Sequence, residues 1–66
     1  MTPDELLTLA RAELLEARRV RELIALGPAP ADQHAATRRV IEDAAAELRF
    51  RLWDSVVAAL ELRATA

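Results

Sequence analysis

Few side chains here combine a reactive type with a useful spacing. The single histidine, His34, has Asp32 as its only acidic neighbour within two residues. A metal site needs further ligands, and acid–base catalysis needs a second partner held in reach. A histidine in the first turn of a helix, packed over a loop, satisfies the same pattern with no partner, and that reading is preferred. Asp4/Glu5, Glu42/Asp43 and Asp54 are acids that could pair for proton transfer. Such pairs work only where a water-excluding cleft pushes their pKa values apart, and two helices offer none. The expectation is therefore no enzyme activity, no catalytic residue, no cofactor and no metal.

Arginine is the other candidate chemistry. Arg18, Arg19, Arg21, Arg38 and Arg39 would gather at one end of the molecule if the chain folds back on itself, where they could meet a nucleic-acid backbone. Glu16, Glu22, Glu42 and Asp43 are interleaved with them, and no aromatic residue lies close enough in sequence to stack on a base. The net charge of −2 gives no bulk attraction to nucleic acid or to an anionic membrane surface. Neither partner is expected. All nine basic residues are arginine, which reads as codon bias rather than chemistry.

What remains is association chemistry. Along Leu48–Leu62, read as a helix at about 100° per residue, apolar side chains fall on two stripes. One holds Leu48, Leu52, Ala59 and Leu62. The other holds Phe50, Trp53, Val57 and Leu60, turned roughly 140° away. One apolar stripe needs one neighbour; two stripes need two. Phe50, Trp53, Val57 and Leu60 are assigned to a protein partner, with Trp53 as the anchor because large aromatics dominate interface energetics. The competing assignment puts these four in the intramolecular seam, which turns Leu48, Leu52 and Leu62 outward and leaves the two-sided argument intact.

The elements that position these residues are two helices. Thr2-Pro3-Asp4-Glu5 is a helix start, with a capping threonine, proline in the first helical position and acids at the positive end of the dipole. The helical pattern then runs unbroken to Leu26. Gly27 suits the position after the last turn, in a left-handed conformation, and Pro28 cannot continue the helix. Helix one is predicted over about 3–26, the turn over 27–29 and helix two over about 30–63, with Pro30 opening it and 64–66 fraying. Helix one buries Leu6, Ala10, Leu14, Ala17, Val20 and Ile24, with Leu7 and Leu9 at the edges. A weaker second stripe of Ala12, Leu15, Leu23 and Leu26 adds Leu15, Leu23 and Leu26 as partner-binding candidates. Isolated surface leucines are common, which applies most to Leu15.

In helix two, His34, Ile41, Leu48, Ser55 and Leu62 keep a seven-residue rhythm, alternating with Arg38, Ala45, Leu52 and Ala59. That rhythm predicts coiled-coil packing of this stripe on helix one, with Ala44, Ala45 and Ala59 allowing close approach. A short proline-stiffened connection makes the helices antiparallel, and the surplus length of helix two is expected to overhang the start of helix one.

The fold class is thus an all-α antiparallel two-helix hairpin, a single domain over 1–66, coiled-coil-like and completed by association. A chain of 66 residues with no cysteine lies near the limit at which one core offsets chain entropy, so association is the route left to further burial. The acidic start is unlike a secretory signal, and no window of about 18 apolar residues spans a membrane. The expected compartment is the cytoplasm.

The layout resembles the small YscE-type co-chaperones of type III secretion needle subunits. The likeness rests on Gly27 closing helix one, Pro30 opening helix two, and the Asp32-Gln33-His34 turn; His34 stands where that family often has tyrosine. The resemblance implies a cytoplasmic adaptor that docks on a helical-repeat co-chaperone and helps keep a needle subunit unassembled. Self-association into a homodimeric four-helix bundle, structural or regulatory, is the alternative that the two stripes allow equally.

Overall fold

In the computed structural model, which describes residues 1–65, two antiparallel helices form a hairpin of 51 × 17 × 13 Å. Helix α1 spans Pro3–Ala25 and α2 spans Gln33–Thr65, with no strand among the described residues. The long axis of the molecule is the length of α2, since 33 residues rise about 50 Å.

The start of α1 follows its sequence. The Thr2 hydroxyl accepts a hydrogen bond from the Glu5 amide at 3.2 Å, Pro3 takes the first helical position, and Asp4 and Glu5 face the positive end of the dipole. The end of α1 differs from expectation. Gly27 does not adopt a left-handed conformation; its amide donates to Ile24 O at 3.2 Å, and the Leu26 amide donates to Glu22 O at 2.9 Å. The physical reason is Pro28. In the usual glycine-terminated ending, the second residue past the cap donates its amide back into the last turn, and proline has no amide hydrogen. The Arg39 guanidinium supplies the missing donors from the other helix, to Ile24 O at 3.1 Å and Pro28 O at 2.8 Å.

The connector is also longer than the predicted 27–29 turn, running over 26–32, and α2 begins at Gln33 rather than Pro30. Asp32 is its cap: Oδ1 accepts from the Ala35 amide at 2.8 Å and its carbonyl from the Ala36 amide at 3.0 Å. An aspartate at the cap accepts from backbone amides that the first turn leaves without a helical partner. At the far end α2 continues through Thr65, past the predicted stop at Arg63; Ala66 lies outside the described residues.

The core sits toward the open end. Leu7, Ala10 and Val57 are buried, with Leu14, Trp53, Val56 and Leu60 packed against them. Ala17 and Ala46 are buried farther along and let the helices approach closely. Nearer the connector the seam turns polar: the Arg21 guanidinium lies 4.5 Å from the Phe50 ring centre and 3.4 Å from Glu47 Oε2. Arg49–Glu13 and Arg11–Glu61 bridge the helices at 3.3 and 3.2 Å. These pairs set Arg63 and Ala64 beside Met1–Asp4, so α2 does not overhang the start of α1. Its extra length lies at the connector end, where the first turns of α2 run alongside the returning connector.

Candidate interaction surface

The residues of α2 that face α1 repeat every seven positions. Arg39, Ala46, Trp53 and Leu60 form one row; Phe50 and Val57 form the other, which the exposed Asp43 interrupts before half-buried Ala36. The heptad rhythm predicted for this helix is present, but it belongs to a different face. His34, Ile41, Leu48, Ser55 and Leu62, with Arg38, Ala45, Leu52 and Ala59, are all exposed. Ala44, Ala45 and Ala59 likewise point away from α1; Ala10, Ala17 and Ala46 make the close approach instead.

The expectation that Phe50, Trp53, Val57 and Leu60 stand exposed in the free hairpin is therefore corrected. Val57 is buried and the other three are half-buried against α1. Two physical reasons select this register. Ala10 leaves a hollow on α1 against which Trp53, Val57 and Leu60 pack, and large side chains fill it better than the Leu, Ala and Ser of the other stripe. Glu13, Arg21 and Arg11 also find Arg49, Glu47 and Glu61 in this register. The size contrast between the facing stripes was the signal in the sequence that could have decided the assignment.

The outward face of α2 is the more informative surface. Ile41, Leu48, Leu52 and Leu62 are 64%, 67%, 58% and 72% exposed. Ala44, Ala45, Ser55 and Ala59 lie between them on the same side of the helix. At 100° per residue no charged side chain interrupts this strip from Ile41 to Leu62, a run of about 32 Å. Arg49 borders it on one side and Arg51 on the other. Arg49 is paired with Glu13, and Arg51 with Glu47 one turn back at 3.2 Å.

On α1, Leu15, Leu23 and Leu26 are also strongly exposed. They do not form a comparable strip, because Glu16, Arg19 and Glu22 are interspersed around the same side of the helix. The arginines near the connector are divided in role. Arg21 and Arg39 are engaged in the seam and Arg18 lies 5.9 Å from the Phe50 ring centre, while Arg19 and Arg38 are exposed.

His34 is exposed in the first turn of α2, and the carboxylate of Asp32 is committed to capping the Ala35 amide. Among the described residues, no group of three His, Cys, Asp or Glu side chains is placed to hold a metal ion. No helix among them is long and apolar enough to cross a membrane.

The hairpin exposes 5292 Å². A compact monomer of its 7.3 kDa mass exposes about 4,200 Å², so the surplus is about 1,100 Å². The chain matches no protein-family model, no curated protein and no solved structure.

Proposed function

We propose that this chain is a protein–protein interaction module that docks on a helical partner through the outward strip of α2. The observation that carries the reading is the uninterrupted apolar run from Ile41 to Leu62, exposed on a helix whose opposite face is already packed. Its seven-residue spacing suits a helix as the covering element, since knobs at that repeat enter holes between side chains of another helix. Covering what remains exposed of Ile41, Leu48, Leu52 and Leu62 is worth roughly 4–8 kcal/mol gross, before the entropic cost of association.

The finer form of this reading is a small cytoplasmic adaptor or chaperone subunit. Its support is the layout likeness to YscE-type co-chaperones. That likeness rests on the hairpin, Gly27 and the Asp32-Gln33-His34 turn but no longer on Pro30, since α2 opens at Gln33. It implies docking on a helical-repeat co-chaperone to hold a secretion-needle subunit unassembled. In that role the outward strip of α2, rather than Phe50, Trp53, Val57 and Leu60, is the face that meets the partner.

Photo-crosslinking in cells tests the interaction reading. A light-activated side chain at position 52 is expected to form a covalent protein adduct, and the same group at position 43, on another side of α2, to form little. Equal adducts from both positions, or none from position 52, would refute the assignment of the strip.

A further inference from the structure

We infer that the outward strip of α2 receives an amphipathic helix of a different protein, with large apolar side chains along its stripe and carboxylates along its edges. The inference rests on the reading of the strip as an interaction face and adds the chemistry of its occupant. Size supports it first. Ala45, Ser55 and Ala59 lie between the large side chains of the strip and leave hollows there. Hollows on a helix are closed by large knobs of its neighbour, as Trp53, Val57 and Leu60 do against Ala10 within this chain. A second copy supplies the wrong sizes. Antiparallel pairing centred on residue 50 would set Ala45 against position 55, a serine, and leave that layer underfilled.

Charge identifies the partner's edges. In a helix pair, the positions next to the apolar rows select the partner by charge. Beside this strip they hold Arg49 and Arg63 on one flank and Arg51 on the other; Glu42, at the connector end, is the one acid. Three of these four charged neighbours are arginine, in a chain whose net charge is −2. Arg51 meets Glu47 through Nε at 3.2 Å, which leaves both terminal nitrogens of an exposed guanidinium for a second carboxylate. Arg49 likewise gives one nitrogen to Glu13, at 3.3 Å. Arg63 is exposed and joins no ion pair among the described residues. A helix with basic edges, α2 of a second copy included, would set arginine against base. A carboxylate edge satisfies the donors that remain.

An anionic membrane surface shares the preference for arginine but not the shape. Interfacial helices bury a face of bulky apolar side chains. Four large side chains over about 32 Å, with alanine and serine between them, give a bilayer little to bury and a knobbed helix several sockets.

The test titrates the full chain into two synthetic helices of roughly 24 residues, long enough to follow the strip. Both carry leucine along the heptad stripe; one has glutamate and the other lysine at every position beside it. At low salt the glutamate helix should bind at least about tenfold tighter, and about 0.5 M salt should erase most of the difference. The direction is diagnostic, because bulk attraction to a chain of net charge −2 would favour lysine. Arg51→Glu should abolish the preference, whereas Arg19→Glu, the same charge change at an exposed position of α1, should keep it. Circular dichroism should show unchanged helical content in both variants. Equal binding, tighter binding of the lysine helix, or a preference untouched by Arg51→Glu overturns the inference. Tighter binding to phosphatidylglycerol vesicles overturns it in favour of a membrane. A concentration-dependent doubling of the 7.3 kDa mass in sedimentation equilibrium overturns it in favour of a second copy. If neither helix binds, the acidic partner is overturned, and an adduct from position 52 in cells leaves the interaction reading standing. Binding of neither helix and no adduct from position 52 overturn both.

Discussion

The two faces of α2 share a seven-residue rhythm and differ in what they ask of a neighbour. The inner face offers Phe50, Trp53, Val57 and Leu60 to an α1 surface hollowed at Ala10, and meets α1 closely where Ala46 and Ala17 are buried. Its flanks carry charges that α1 answers. The outer face offers Leu48, Leu52, Ile41 and Leu62 interspersed with alanine and serine. Bulk facing small side chains, with matched charges at the rim, closed the seam within one chain. A smoother apolar strip, its four large side chains spread over about twice the length of helix, is left exposed. Apolar periodicity shows which faces could be buried; steric complementarity and charge register decide which of them closes on α1.

Consecutive residues on opposite faces put this contrast to the test. The largest effect is expected at Trp53. Trp53→Ala should destabilise the hairpin by about 3 kcal/mol, measured by urea unfolding in dilute solution, because it empties the centre of the seam. Leu52→Ala, one residue away on the outer face, should change monomer stability by under about 0.5 kcal/mol. Equal losses would erase the distinction between the faces.

Ala46 and Ala45 give the converse contrast. Ala46→Leu should cost about 1–3 kcal/mol by forcing the helices apart, whereas Ala45→Leu should be neutral to folding. Thermal melts of the two variants side by side decide it, and a tolerated leucine at 46 would mean that the helices do not approach as closely as described.

A smaller effect separates Arg39 from Arg38. Arg39→Met keeps the aliphatic stem but removes the donors to Ile24 O and Pro28 O, and should cost about 1–2 kcal/mol. Amide hydrogen exchange in the last turn of α1 should accelerate with it. Arg38→Met, which faces outward, should leave exchange there unchanged.

The smallest effect concerns the connector that brings the inner face into register. Gly27→Ala should shift stability by no more than about 0.5 kcal/mol. No positive φ has to be accommodated, and the gain from a stiffer unfolded chain is offset by a new Cβ 3.3 Å from Ile24 O. A loss above about 1 kcal/mol in denaturant titration would point to a left-handed Gly27, and with it to a different entry of the chain into α2.

The amino-acid sequence by itself determined the helical hairpin. Thr2 and Pro3 start α1, Gly27 and Pro28 stop it, and uninterrupted helix-forming residues carry α2 to its end, all through interactions spanning only a few residues. It also determined that α2 is apolar on two sides, because helical periodicity is a property of spacing alone. Tertiary structure decided which side closes on α1. Arg39 replaces a glycine cap that Pro28 had disabled, and Trp53 finds its place beside Leu7, Ala10 and Leu14, only once residues far apart in sequence share one seam. Rows of equal rhythm on one helix cannot be ranked from their own spacing. Their ranking depends on the volume and charge of the surface opposite, and for this chain that surface is α1.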